Sequence, residues 1–468
     1  MTDYDCDTLV IGAGPAGESA AMDAAKHGLR TMVVDARQQV GGACTHLGTI
    51  PSKALRAAVR DLARFSSTPL LRDLSRDRPV SYPELLNWAG SVIGKQVRMR
   101  NNFYLRNRVP VLKGRAELIG PQRVRVHYPG RASEELRARH IILATGSRPY
   151  RPADVDFDHP RIYDSDTILD MRHTPSKLLI YGAGVIGCEY ASIFAAIGIK
   201  VELINWRDRL LEFLDDEISD ALTYHLRQHG VMVRHREAYQ RVEADGGGIT
   251  LHLESGKQLH GDALLWCQGR SGNTEGLGLE NLGLSADHRG HLAVDEHCAT
   301  EVESLYAAGD VIGWPSLASA AYHQGRAASE AIRGQARGPA VRDVATGIYT
   351  LPEISSVGRT ERELTEARTP YEVGRALFKD TARGQISGED VGMLKLLFHP
   401  ATLELLGVHC FGAEATEIIH IGQAIMEQQG QGNSLRYFVD TTFNYPTMAE
   451  AYRIAALNGL NRLSHRSP

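Results

Sequence analysis

The sequence predicts an α/β fold divided among several domains, and three observations carry that prediction. A length of 468 residues exceeds what one hydrophobic core serves and points to two to four domains. A short apolar run, a G-x-G-x-x-G turn and an Ala-rich helical pattern follow one another near the N-terminus, and the same succession returns in the middle of the chain. A Gly- and Pro-containing stretch from Arg333 to Pro339 then reads as a linker to a further segment. Each strand–turn–helix unit has the form of a Rossmann-like dinucleotide-binding half.

The first unit opens on the strand Thr8-Leu9-Val10-Ile11, turns through Gly12-Ala13-Gly14-Pro15-Ala16-Gly17 and continues as a helix to about His27. Gly12 permits the turn, Gly14 lets the backbone approach a pyrophosphate, and Gly17 lets helix and strand pack closely. The helix N-terminus offers unpaired N–H groups and a positive dipole end to phosphates. A second strand, Thr31 to Val34, ends at Asp35, which is placed to accept hydrogen bonds from a ribose diol. The second unit repeats this arrangement. Leu178 to Tyr181 leads into Gly182-Ala183-Gly184-Val185-Ile186-Gly187, and the strand Lys200 to Ile204 ends at Asn205 rather than at an acid. Two nucleotide units in one chain imply two cofactors, or a cofactor and a nucleotide substrate.

Composition narrows the class. A hydrophobic fraction of 43% is ordinary for a globular protein, and a formal charge of −4 gives no basic field for nucleic acid or an anionic membrane. The local cluster Lys95, Arg98, Arg100, Arg106 and Arg108 is read as a solvated helix face. No apolar stretch is long enough to span a bilayer, and the acidic start Met1-Thr2-Asp3-Tyr4-Asp5 runs straight into a strand instead of forming a signal peptide. The six cysteines, Cys6, Cys44, Cys188, Cys267, Cys298 and Cys410, show no C-x-x-C pair and no metal-ligand spacing. Buried thiols in a cytoplasmic enzyme, without a metal, are the expectation. The adjacent His409-Cys410 falls in a predicted strand and is read as core.

The segment from Gly41-Gly42-Ala43-Cys44 to Gly48-Thr49-Ile50-Pro51-Ser52-Lys53 closely resembles the redox-active segment of the FAD-dependent pyridine nucleotide–disulfide oxidoreductases. Other motifs follow in that family's order. Gly114-Arg115-Ala116 stands where its backbone touches adenine, Ala144 to Pro149 where its first domain crosses into the second, and Tyr306 to Asp310 where its Asp holds the ribityl chain. Pro352-Glu353-Ile354 with Val357 to Glu361 resembles the start of its dimerisation domain. The resemblance implies two Rossmann-like domains, for FAD and for NAD(P), plus a C-terminal α+β dimerisation domain. Expected boundaries are 1–150 and 269–335 for the FAD-binding domain, 151–268 for the NAD(P)-binding domain and 336–468 for the interface domain.

The resemblance also assigns residues. One FAD per subunit would lie against Gly12, Gly14, Gly17 and Asp35, and along Ala36, Arg37, Gln38, Gln39, Val40, Gly41, Gly42, Ala43 and Cys44. Further contacts would come from Lys53, Ala116, Thr145, Gly146, Gly309, Asp310 and Ala318. The nicotinamide nucleotide would meet Gly182, Gly184, Val185, Gly187, Asn205, Arg207 and Gly269. Lys53 and Glu189 match the family's Lys–Glu pair beside the flavin N5, where a fixed cation stabilises reduced flavin. Val185 replaces an aromatic gate and would leave the nicotinamide pocket more open.

Two departures decide what chemistry is expected. In the family a second cysteine stands where Thr49 stands, and thiol–disulfide exchange needs that second sulfur. A His-Pro-Thr segment supplies the family's acid–base dyad, whereas here Tyr445 precedes Pro446-Thr447, with Glu450 retained. A phenol titrates near pKa ~10 and is a poor base at neutral pH. With the disulfide apparatus removed and the hydride apparatus kept, the expected activity is hydride exchange between NADPH and NAD, reversible, of the Si-specific type, ping-pong through FAD at one site. Asn205 supports use of both coenzymes. An acid there would repel the phosphate of NADP by roughly 4 kcal/mol per unit-charge pair at ~4 Å and an effective dielectric near 20. Arg207 or Arg209 would attract that phosphate.

Alternatives remain. The flavin or Cys44 could reduce oxygen, quinone or peroxide in an NAD(P)H oxidase or diaphorase, with Cys44 as a lone reactive thiol rather than a packed one. A non-enzymatic redox-sensing flavoprotein is the third reading, against which the intact Lys53 and Glu189 speak. His46 is read as structural, Arg207 alternatively as a surface residue, and Glu450 and Tyr445 as subunit-interface residues. A homodimer or larger homo-oligomer through the C-terminal domain is expected, with Tyr445 to Glu450 facing the partner's flavin.

Overall fold

A computed structural model describes residues 4–67, 80–336, 338–341, 344–428 and 430–464. Met1 to Asp3, part of the acidic start, lie outside the described residues.

The first unit folds around a mainly parallel sheet. β1 (Cys6–Ile11) is flanked in parallel by β2 (Thr31–Asp35) and β6 (Glu134–Leu143), with Val10 opposite Val33 and Ile142. β3 (Val111–Lys113), β4 (Arg115–Gly120) and β5 (Arg123–His127) complete the path β3-β2-β1-β6-β5-β4, and Leu305–Ala307 joins it by pairing with β6. The near-continuous Val, Ile and Leu of these strands fit a sheet covered on both faces. Helix α1 (Pro15–Lys26) packs on it where Gly12 takes φ +109°, and α1 has Pro in its first turn, where no N–H is lost from the ladder. Later helices bring α1 a partner: a Cβ at Gly325 would lie 2.0 Å from the Ala16 carbonyl oxygen.

Short α2 (Gly42–His46) and long α3 (Thr49–Ser67) carry the redox-segment residues, and α4 (Tyr82–Arg106) packs against α3. A capping box between Ser81 and Glu84 starts α4. One expectation is corrected on this helix. Arg100 is not on a solvated face: it is 5% exposed and donates to both carboxylate oxygens of Glu18, at 2.7 and 2.8 Å, and to the Tyr322 hydroxyl at 2.7 Å. Burial works against its charge, and Glu18 with Tyr322 more than offsets this and holds it as a cation, whereas Lys95, Arg98, Arg106 and Arg108 are exposed as expected.

β7 (Ser147–Pro149) pairs with Arg270–Gly272 in an antiparallel ribbon at the crossing into the second unit. Here β8 (Ile162–Asp164), β9 (Lys177–Tyr181), β10 (Lys200–Ile204), β11 (Met232–Arg234), a three-stranded antiparallel layer β12 (Tyr239–Asp245), β13 (Gly248–Leu253) and β14 (Gln258–Gly261), and β15 (Ala263–Trp266) follow in order. The parallel sheet runs β11-β10-β9-β15-β8. Helix α5 (Val185–Ala196) follows the second glycine turn, and α6 (Asp216–Gln228) leads to β11. After α7 (Ala318–Ile332) the chain builds a five-stranded antiparallel sheet. The helices Ala415–Met426 and Glu450–Ser464 cover it, and Phe398, Phe438 and Tyr452 fill its core.

Lys395, on a central strand of that last sheet, is fully buried at the joint with the second unit. Its ammonium meets Asp215 at 2.6 Å, Glu217 at 3.0 Å and Glu361. His409 and Cys410 are fully buried in the adjacent strand, with His409 bonded to Ser356 Oγ and the Arg359 carbonyl, so the pair is core as read. Among the described residues no helix is long and apolar enough to cross a membrane.

Candidate active site

A cleft of about 830 Å³ runs from the Gly12–Gly14 turn past Asp35 and Thr145 to Lys53 and Glu189. The glycines shape its floor. Gly42, at φ +60°, stands back to back with Gly14, and a Cβ on Gly42 would come 2.7 Å from the Gly14 Cα. A Cβ on Gly17 would lie 1.8 Å from the Gly12 carbonyl oxygen, so only Gly lets α1 approach the strand. Gly14 caps α1 without a side-chain hydrogen bond, leaving first-turn N–H groups for an anion. Asp35 receives the Ala13 N–H and the Arg37 N–H, each at 2.7 Å, and thereby holds the turn.

This lining fits FAD. Its glycine turn presents bare backbone at a helix N-terminus, and the Thr145 hydroxyl lies buried in its wall with no hydrogen-bond partner among the described residues. Asp310 accepts from Ser147 Oγ at 2.8 Å, and the Gly309 N–H donates to Gln324, which fixes the loop at the middle of the cleft.

At the inner end Lys53 Nζ lies 2.9 and 2.7 Å from the two oxygens of Glu189. Glu189 is 4% exposed and is paired directly with Lys53. Cys44 borders the same space, and the Thr49 hydroxyl is its hydrogen-bond neighbour, at the place where a second sulfur would be needed. Burial raises the Cys44 thiol above its ordinary range despite Thr49, Arg100 and Lys53 pulling the other way, which keeps it protonated. All six cysteines are free; burial pushes Cys6 and Cys298 up to about 12. His46 Nε2 lies 2.9 Å from the Val40 carbonyl oxygen, in keeping with a structural His.

Of the residues expected at FAD, Gly12, Gly14, Asp35, Ala36, Arg37, Gly42 and Ala43 border the cleft, as do Ala116, Gly146, Gly309, Asp310 and Ala318. Gln38 and Gln39 are exposed beyond it, and Val40 is packed in the core behind it with Gly41 beside the Thr45 side chain. On the nucleotide side Val185 borders the cleft, while Gly182, Gly184, Gly187, Asn205, Arg207 and Gly269 lie outside it. Gly182 takes φ +112°, and a Gly187 Cβ would meet the Gly182 carbonyl oxygen at 1.8 Å, so the second turn repeats the first. Asn205 is 3% exposed; its amide donates to the Arg209 carbonyl and its oxygen receives the Arg207 N–H at 3.2 Å. Gly269, at φ +92°, accepts the Tyr150 N–H at the crossing between units. Arg207 pairs with Glu212 and lies 4.8 Å from the Trp206 ring centroid, and Arg209 pairs with Asp216. Tyr445 is 65% exposed, and neither it nor Glu450 borders the cleft of its own chain.

Sequence reasoning misses several residues that the fold brings here. Arg270 bonds Ser147 Oγ and carbonyl, and Asn273 bonds the Thr145 carbonyl, which ties the crossing ribbon to the cleft. Tyr349 donates its N–H to Glu189 Oε1 at 2.9 Å from the far end of the sequence. No motif marks it, because its proximity is created only by folding.

Both units and the third sheet are matched by family models. Residues 6–325 match the pyridine nucleotide-disulphide oxidoreductase model, and residues 344–456 match that family's dimerisation domain. The chain belongs to the pyridine nucleotide-disulphide oxidoreductase family. It is 61% identical over 463 residues to the soluble pyridine nucleotide transhydrogenases of Marinobacter nauticus and Hahella chejuensis, covering 99% of this chain and 100% of each relative. The HOCl-induced flavoprotein disulfide reductase RclA of Escherichia coli is a structural neighbour, with TM-score 0.87, 25% identity and coverage of 96% of this chain and 99% of RclA. LpdA of Mycobacterium tuberculosis is another, with TM-score 0.88, 26% identity and coverage of 96% and 99%. The cleft of this pyridine nucleotide-disulphide oxidoreductase is bordered by Cys44 and Thr49 beside Lys53 and Glu189.

Proposed function

We propose that this chain transfers a hydride reversibly between NADPH and NAD, giving NADP and NADH, through one FAD and one nicotinamide site used in turn. The observation that carries the reading is the pairing of an intact Lys53–Glu189 with a Cys44 whose neighbour is Thr49. FAD, when bound, would supply the two-electron carrier between the two nicotinamides. Gly12, Gly14 and the first turn of α1 would bind its pyrophosphate, Asp35 would orient its adenosine ribose, and Asp310 would hold its ribityl chain. Lys53 presents a fixed positive charge at the inner end, and Glu189 fixes Lys53. Val185 leaves the nicotinamide face open. NADPH + NAD → NADP + NADH consumes no net proton, so Tyr445 in place of a basic His removes nothing the reaction needs.

Gly182, Gly184 and Gly187 seat the nicotinamide dinucleotide on the N-terminus of α5, which is uncapped by any side chain. Asn205 shapes the loop that carries Arg207, and Arg207 exchanges Glu212 for the extra phosphate of NADP. The FAD module is taken as 1–150 with 269–335, the nucleotide module as 151–268 and the interface module as 336–468. The chain works as a homo-oligomer through that last module, in the cytoplasm; the free thiols support a reducing compartment. Hydride transfer of the Si-specific type is part of the same reading. Purified holoprotein is mixed with NADPH and a spectrally distinct NAD analogue: FAD-dependent reduction of the analogue is expected, and its absence overturns the reading.

A further inference from the structure

The Lys53–Glu189 pair sits between two helices, and each helix is held by the same short segment of the interface module. On the α5 side, Tyr349 N–H donates to Glu189 Oε1 at 2.9 Å, and Leu351 N–H donates to Ser192 Oγ at 3.1 Å. On the α3 side, one turn beyond Lys53, Arg56 donates to the Thr350 carbonyl at 3.2 and 3.1 Å. Arg56 also pairs at 2.7 Å with Glu353, both nearly buried, and Glu353 receives the Thr416 hydroxyl at 2.7 Å. Residues 349 to 351 are therefore a strap across both helices. The Tyr349 ring is part of it, with Lys53 Nζ 4.9 Å from the ring centroid, inside the range of about 6 Å in which an aromatic face attracts an ammonium.

We infer that Tyr349 is a positioning residue for hydride transfer: its main-chain N–H fixes the Glu189 carboxylate and its ring face fixes the Lys53 ammonium. The inference rests on the reading that this ion pair attends the flavin. Glu189 has two oxygens and three donors, two from the Lys53 ammonium and one from the backbone, so its rotamer is determined from both sides. Lys53 retains several flexible torsions, and the ring face 4.9 Å from its ammonium restricts its charged end. A substitution that keeps the ring should keep this restriction; one that removes it should let the ammonium withdraw, although the N–H bond to Glu189 survives.

The test compares holoproteins of Tyr349→Leu, Tyr349→Phe, Lys53→Met and the Lys53→Met/Tyr349→Leu double variant. The midpoint potential of bound FAD and the rate of its reduction at saturating NADPH are both measured. Tyr349→Leu is expected to slow reduction by about three- to tenfold, the range of an ammonium–ring contact, with KM nearly unchanged. It is expected to shift the potential in the same direction as Lys53→Met, while Tyr349→Phe restores the wild-type potential and the double variant goes no further than Lys53→Met. A wild-type potential and rate in Tyr349→Leu, or additive effects in the double variant, would overturn the inference. If Lys53→Met itself changes neither quantity, the flavin-side role of the ion pair fails first, and the inference falls with it by a separate result. Should Tyr349→Leu not retain FAD, Tyr349→Met, of similar reach, is held to the same two outcomes.

Discussion

Arg207 has two neighbours to choose between and a third to expect. Its guanidinium lies on Trp206 and pairs with Glu212 while about half exposed, so a phosphate placed at the loop competes only with a surface ion pair worth little. A bond from guanidinium to phosphate is worth about 1.5–3 kcal/mol, so Arg207→Ala should weaken NADP(H) by roughly tenfold or more and leave NAD(H) within about twofold. Equilibrium binding of both coenzymes to each protein checks this; equal losses would refute it. At this scale the motif residues were legible because their chemistry is local to a turn or segment: Gly12 and Asp35, marked by spacing, and Cys44 and Lys53, marked by the resemblance, all border one cleft. Arg100 was not, because a charge on a helix looks the same whether it meets water or Glu18, 82 residues away. Asn205 was legible as a departure, although its amide serves the loop and not the surface.

The two glycine turns are the same device built twice. In each, a Cβ on the last glycine would fall 1.8 Å from the carbonyl oxygen of the first, so the strand–helix contact tolerates no side chain. Overpacking of this kind costs about 1–3 kcal/mol or more where backbone meets backbone. Because the turns serve different units, their failures should differ. Gly17→Ala should lose FAD, whereas Gly187→Ala should stay yellow and raise KM for both nicotinamide nucleotides. Flavin content and steady-state kinetics separate the two, and FAD loss from Gly187→Ala would contradict the division of labour. Elements of this kind were the most legible part of the fold, since an apolar strand, a glycine turn and the helix after it are all written within thirty residues. The third sheet was announced only by its first motif, and its antiparallel order depends on pairings between distant segments such as Glu353–Gly358 with Leu405–Gly412.

Across the molecule, the units are joined by buried charge as well as by chain. Lys395 brings its ammonium to Asp215, the N-cap of α6, to Glu217 in that helix and to Glu361, fully removed from water. Burial alone would raise Asp215, but His409 and Lys395 lower it below its ordinary range; Glu217 is likewise lowered against burial by Arg375 and Lys395. Carboxylates with depressed values contribute stability that is present above their unfolded values near pH ~4 and is lost as pH falls through the folded ones. Removing the cation while leaving the carboxylates costs about 3–5 kcal/mol, so Lys395→Met should unfold at markedly lower denaturant at pH 7. The difference from wild type should shrink below pH ~4, where the carboxylates take up protons. A constant difference down to pH 3 would contradict this account. None of this joint was legible in the sequence, because Lys395 sits in an unremarkable apolar strand and its partners lie in two other segments.

The account turns on how many electrons the site holds. Anaerobic reductive titration of the holoprotein, followed by addition of NAD, measures this directly. The expected result is an uptake of two electrons per FAD, no long-wavelength absorption from a thiolate beside oxidised flavin, and full reoxidation by NAD, in Cys44→Ser as in wild type. An uptake of four electrons per FAD, or that absorption band, would contradict it.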